Sequence, residues 1–341
     1  MKVEALSDAQ ERLAALQAAV ASAGRDQAIV AGLKDASPLV RQNAIALAAR
    51  YLAPEVLAGF LADDEDAILR NAAQAALERQ GPHAISHLLC LAHGPNHEVA
   101  FFAVQILSTI NDASAKQALL PLLDHADRNI AQATVEALGH MRATEAVPAL
   151  IRLLAGDPWL QFAAASALGK IGDARAVNSL LERLDDELLA EMAVEALGRI
   201  GDAAGLLPLL DRLVSSDRLP LRDQLLLAVA AILEHNPGLR GLPARARLWQ
   251  PDVRAGLADY LGGLLAMHDT TLARSAGVLV VHAELWDLMP ALLARSPDPG
   301  EECWLEGMLR RCRRRAQAEL LPLLRHPDPR VRAGTLLHVP F

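Results

Sequence analysis

Aromatic side chains are scarce. The 341 residues include five Phe, four Trp and two Tyr, 3% of the chain. β-Sandwich cores draw on aromatic and β-branched residues. Here 52% of residues are hydrophobic, and most of those are Ala and Leu. That favours helices packed through small side chains. Cysteine is also rare: Cys90, Cys303 and Cys312, with no C-x-x-C pair. This excludes a disulfide framework and suits a reducing compartment, so a cytoplasmic location is expected. Long uncharged apolar runs are missing, and the opening MKVEALSDAQERLAALQ has early acids where a signal peptide needs an apolar core. Membrane insertion and secretion are not expected. Catalytic signatures are lacking too: there is no Gly-rich phosphate loop, no G-x-S-x-G and no H-E-x-x-H. A non-enzymatic protein without a cofactor is expected.

Positive charge is short where most of the chain lies. Residues 1–216 hold 17 Lys and Arg against 27 Asp and Glu, and residues 217–341 hold 16 against 14, for a net charge of -8. Binding nucleic acid requires cations to neutralise phosphates. A nucleic-acid partner is therefore not expected.

What the chain does have is repetition. ALGHMRATEAVPALIRLL (137–154), ALGKIGDARAVNSLLERL (167–184) and ALGRIGDAAGLLPLLDRL (196–213) align directly. Each is the end of one helix, a polar turn and the start of the next. The first apolar anchors of the second helices are Val40, Ile68, Val99, Ile130, Leu160, Leu189, Leu221 and Val253, spaced 28 to 32 residues apart. The next, Leu272, follows after only 19, as if one helix were lost or shortened; Cys303 and Val331 resume the period. Gly139, Gly169 and Gly198 fall near the ends of second helices. Gly172 and Gly201, each followed by Asp, mark stops and caps. Pro38, Pro158, Pro220, Pro251 and Pro329 stand where second helices begin.

The anchor, two polar residues and Ala-Leu-Gly, as in LQFAAASALGKIGDARAV, resemble the HEAT-repeat superfamily, in particular the short repeats named for phycobilisome lyases. The resemblance is good over residues 26–235 and looser over 251–341. It implies an all-α fold, a right-handed α-solenoid of stacked HEAT-like helix pairs, with second helices lining the concave face. The expected organisation is an N-terminal capping helix over 1–25 (Ser7 or Asp8 as its cap), regular repeats over 26–235, and divergent repeats over 236–341. The end, DPRVRAGTLLHVPF, should be abrupt and partly apolar, and a possible contact surface.

In this register the second-helix positions at anchor +2 and +6 face the groove. Along +2 lie Gln42, Arg70, Phe101, Gln132, Phe162, Glu191 and Asp223; along +6 lie Ala46, Gln74, Gln105, Glu136, Ser166, Glu195 and Leu227. The groove should turn aromatic at Phe101, Phe102, Phe162 and nearby Trp159, then acidic at Glu136, Glu191 and Glu195. Aromatics rimmed by polar groups are typical binding anchors. The leading expectation is a scaffold or adaptor whose groove takes a protein or peptide, an apolar segment with basic flanks. The alternative implied by the resemblance is a phycobilin-lyase-like enzyme or chromophore chaperone, with Arg70 pairing a propionate.

Two other clusters stand out. Arg310, Arg311, Arg313, Arg314 and Arg315 form a basic run that would suit phosphate or an acidic surface; a solvated helix end is the plainer alternative. His83, His87 and Cys90, spaced i, i+4, i+7, share a helix face as candidate metal ligands. The repeat register puts that face outward, where a fourth ligand and supporting groups are hard to find, so no metal is expected. Deoxyhypusine hydroxylase, an iron enzyme of the same superfamily, uses His-Glu pairs two and three residues after the anchor. Here the single pair His97-Glu98 precedes anchor Val99, and the equivalent positions hold Gln42-Asn43, Arg70-Asn71, Gln132-Ala133 and Glu191-Met192.

Overall fold

The computed structural model describes residues 2–63, 65–239, 242, 246–267, 270–295, 309 and 313–338. Among these residues there are helices and turns and no strand. The contacts fall into two units, 1–167 and 168–341.

Unit 1 begins with α1 (Lys2–Ala19). Pairs of first and second helices follow: α2 (Arg25–Leu33) with α3 (Pro38–Tyr51), α4 (Pro54–Gly59) with α5 (Ala67–Gln80), α6 (Ile85–Ala92) with α7 (His97–Ile110), and α8 (Ala113–Leu119) with α9 (Arg128–His140). Then come α10 (Val147–Ala155) and α11 (Pro158–Ile171), which runs across the unit boundary. Within the pairs the two helices pack together, and the second helices α3, α5, α7 and α9 pack in succession. Unit 2 continues with α12 (Val177–Leu181) and α13 (Ala190–Ile200), α14 (Leu206–Ser215) and α15 (Leu219–His235), and α16 (Pro251–Ala266) and α17 (Thr270–His282). It also holds α18 (Met289–Ala294), α19 (Arg313–Leu320) and α20 (Pro329–His338).

A single helix pair cannot bury its apolar stripe, so each repeat completes its neighbour's core. Leu88, Leu107, Leu119, Leu138 and Leu150 are fully buried in this way. The second helices start on a recurrent cap. Asp66 accepts from the N–H of Leu69, Asn96 from Glu98 and Val99, Asp127 from Asn129, Asp157 from Trp159, and Asp186 from Leu188 and Leu189. Between repeats, one turn position has positive φ six times over: Gly81, Asn111, Arg142, Gly172, Gly201 and Glu284. The glycines meet this need without strain, and Asp173 and Asp202 then cap the next helix as expected.

The repeated Ala-Leu-Gly is explained by contact. A Cβ on Gly139 would lie 2.8 Å from the Cα of Ala167; on Gly169, 2.8 Å from that of Ala196; on Gly198, 2.9 Å from that of Ala228. Each glycine therefore faces the alanine of the following motif, or its equivalent. These glycines are less helix terminators than sites where consecutive second helices touch backbone to backbone.

Four expectations need correction. First, Ile68 is exposed, whereas Leu69 is buried, so Leu69 is the anchor. This evens the neighbouring gaps and moves Arg70 from +2 to +1. Second, α17 packs on α15 while α16 packs on α14. The helix carrying Val253 is thus a first helix, and Leu272 lies on the second. No helix is lost; the irregular spacing comes from the connection after α15 and the long α16. Third, α1 begins at Lys2, so Ser7 and Asp8 lie inside it. Asp8 instead pairs with Arg12, which also bonds Asp35 at 2.8 Å. Fourth, Pro251 opens a first helix.

The caps set an acid limit on stability. The backbone N–H groups at the helix starts hold Asp66 and Asp127 below the ordinary carboxylate pKa, and the Arg175 side chain does most of this for Asp173. A lowered folded-state pKa stabilises fully above the unfolded value, about 3.9, and is lost as pH falls through the folded one. Helicity followed by circular dichroism should be flat between about pH 5 and 8 and fall cooperatively below about pH 4. A transition centred near neutrality would contradict this origin.

Candidate functional site

The outer face of the second helices is formed by anchor positions −1, +2, +3 and +6, which share one side of a helix. In unit 1 the aromatic residues lie on two of these helices. On α7, Phe101 and Phe102 are half-buried and meet edge to face, with centroids 5.9 Å apart at 71°. Arg70 from α5 lies over the Phe102 ring at 5.4 Å. On α11, Trp159 is 57% exposed and Phe162 43%. They sit at anchor −1 and +2, one turn apart, because the Asp157 cap starts the helix immediately before Trp159. Polar side chains lie around them. Gln105 and Glu136 are exposed, and Gln132 donates to Glu136 at 2.9 Å. Arg128 and Asp157 approach at 3.8 Å.

Apart from Trp159, sequence reasoning misses the −1 row. Leu39 and Ile68 are exposed there in unit 1, as is Leu188 in unit 2. The signal is in the sequence, since −1 precedes +2 by one helical turn, but reading Ile68 as an anchor hides it.

Arg70 is already engaged. Its Nη1 donates to the carbonyl of Asp63 at 3.1 Å and lies 3.9 Å from Glu98. Arg41 does the same one repeat earlier, bonding the carbonyls of Asp35 and Ala36, and Arg332 bonds those of His326 and Pro327. These arginines secure the turns that precede second helices. Arg70 is therefore not an open partner for an anionic group. The acidic residues Glu191 and Glu195 lie on α13 in unit 2. Glu195 is exposed and pairs with Arg199 at 2.6 Å, and Glu191 is half-exposed.

The histidine-rich helix behaves as a surface. Ile85, Leu88 and Ala92 are buried; His83 and Cys90 are exposed. His87 Nδ1 lies 3.7 Å from Glu55. His97 bonds Asp127 at 2.9 Å and packs edge-on against His125. Among the described residues, no three His, Cys, Asp or Glu side chains converge as a metal site would require. Arg310 and Arg311 lie outside the described residues. Arg313, Arg314 and Arg315 open α19, and nothing of their side chains is described. On α20, Leu336 and Leu337 are exposed. No described helix is long and apolar enough to cross a membrane.

The comparisons agree with the architecture. A profile of HEAT repeats matches residues 85–158, 117–191 and 156–230. No curated protein sequence matches the chain. Among solved structures, a crystal structure of importin beta is similar at a TM-score of 0.52 and 17% identity, covering 95% of this chain and 53% of that one. The present chain thus spans about half the length of that neighbour. The complex of CpcE and CpcF of phycocyanin lyase from Nostoc sp. PCC7120 is 25% identical over 62% of this chain and 88% of that chain, at a TM-score of 0.35. That score is too low to bear on fold or activity. The three profile matches mark residues 85–230 as HEAT repeats, and the likeness to importin beta shows the same all-α solenoid fold over nearly the whole chain.

Proposed function

We propose that the protein is a non-enzymatic scaffold or adaptor whose second-helix face binds a protein or peptide, with the aromatic residues of unit 1 as anchors. The observation that supports this most is the exposure of Trp159 and Phe162 together on one turn of α11. In a chain with so few aromatics, two large rings side by side in water are a poor use of apolar surface unless something covers them. Phe101 and Phe102 offer a second, partly packed aromatic pair, and Gln105, Gln132 and Glu136 offer hydrogen bonds alongside. Glu98, Glu136 and Asp157 make the surroundings net acidic despite Arg128 and Arg70, so the partner's segment should be apolar with basic flanks. Glu191 and Glu195 would serve the same kind of partner on unit 2.

The test is affinity purification of the tagged protein from its host, with mass spectrometry of what co-elutes. The Phe101→Ala/Phe162→Ala variant serves as the control. A protein retained by the wild type and lost by the variant at unchanged helicity is the expected outcome. Equal recovery by both would count against this face. Loss of helicity would mean the phenylalanines belong to the core.

A further inference from the structure

Unit 2 carries a different exposed surface. Leu188 is 75% exposed and Leu219 61%. They stand at the N-terminal ends of α13 and α15, two helices packed side by side. The cap creates this exposure. Asp186 accepts from the N–H groups of both Leu188 and Leu189, at 3.0 and 3.3 Å. This tight turn sends Leu189 into the core and Leu188 outward. Met192, one turn further along α13, is half-exposed on the same side.

Around Leu188 and Met192 the charge is mainly negative, while Asp217 and Asp223 around Leu219 are matched by Arg218 and Arg222. Asp185, Asp186, Glu187, Glu191, Glu195 and Asp217 lie within a few residues of them in sequence. Arg212 is held by Asp185 at 2.8 Å and Arg199 by Glu195 at 2.6 Å. Glu187, Glu191 and Asp217 have no ion-pair partner among the described residues. Arg218 is exposed beside Leu219, and the half-buried Arg183 and Arg222 lie nearby, Arg222 bonding the Leu213 carbonyl at 3.3 Å.

We infer that Leu188, Met192 and Leu219 form a docking surface for a basic, leucine-bearing segment of a partner protein. The apolar side chains supply the contact and the acids select the sign. Nucleic acid and anionic lipid carry the wrong charge. A second copy of the chain using the same patch would set Glu187 and Glu191 against their own equivalents, since a two-fold contact pairs a surface with itself. A cationic segment with apolar side chains remains. The inference shares Glu191 with the reading above and does not rest on the aromatic face in unit 1.

The probe is a fluorescently labelled amphipathic peptide of alternating Lys and Leu blocks, with a Glu-for-Lys counterpart, titrated against the full chain by anisotropy. The Lys-Leu peptide should bind, and added salt should weaken it. Leu188→Ser/Leu219→Ser should weaken binding by about ten-fold or more with the acids intact. Glu187→Gln/Glu191→Gln should weaken it by a route that leaves the leucines in place. Val56→Ser, replacing an exposed apolar side chain on the first helix α4, should leave it unchanged, and the Glu peptide should not bind. Binding that survives the leucine substitutions, or that is lost equally when Val56 is replaced, overturns the inference. So does concentration-dependent self-association in sedimentation that Leu188→Ser abolishes, because the occupant would then be a second copy.

Discussion

Gly198→Leu should lower the melting temperature sharply and cost more than about 3 kcal/mol, beyond the usual overpacking range. Gly198→Ala should cost about 1–2 kcal/mol. The Cβ of either variant lands 2.9 Å from the Cα of Ala228 and 3.0 Å from its Cβ. Backbone cannot yield as a flexible side-chain tip can, so α13 and α15 must move apart along their shared contact. Alanine's better helix propensity, about 1 kcal/mol over glycine, works against that cost and is the smaller effect. The control is Gly256, also inside a helix (α16), where nothing lies within 4 Å of the added Cβ. Gly256→Ala should therefore stabilise by up to about 1 kcal/mol. The same chemical change is expected to have opposite signs at the two sites. Thermal melts of the two alanine variants check this directly; a stabilised Gly198→Ala would remove the close-contact explanation of the Ala-Leu-Gly repeat. Because each repeat contacts only its neighbours, the Gly198→Leu melt should also lose cooperativity.

Trp159→Ala/Phe162→Ala should leave the melting temperature nearly unchanged and weaken partner binding by at least thirty-fold, about 2 kcal/mol. The two rings are exposed in the free protein, so their removal opens no cavity and the fold loses little apolar burial. In a complex they would be the largest groups removed from water on this face, and buried Trp side chains dominate binding energies. Isothermal titration with the partner recovered by affinity purification measures the loss. A large drop in melting temperature with unchanged affinity would reverse the assignment and make the pair structural. Phe101 and Phe102 differ, since each already packs against the other. Their replacement should affect stability and binding together.

Much of the fold was legible in the residue spacing. The period near 30, the prolines that open helices and the Asp that follows each turn glycine all reflect local backbone requirements, which a sequence states directly. Where the pattern misled, the cause was non-local. Ile68 and Leu69 are both apolar and adjacent, and nothing in their own helix says which one faces the neighbouring repeat. Val253 begins a helix in the right place with the right proline, but its rank as first or second helix depends on what packs behind it. Arg70 looked like a groove residue until the register moved by one, which turned it toward the Asp63 carbonyl.

By itself, then, the sequence determined that the chain forms helix pairs, how often they recur, where they are capped and that their surface is acidic. Each of these follows from local propensity or from composition. The tertiary structure decided which apolar side chains the stack leaves outside: Trp159, Phe162, Leu188 and Leu219 rather than Leu69 or Leu189. It also decided that glycine is needed where second helices touch. Burial is a property of what lies opposite a residue, and in a stacked array what lies opposite is another repeat about thirty residues away.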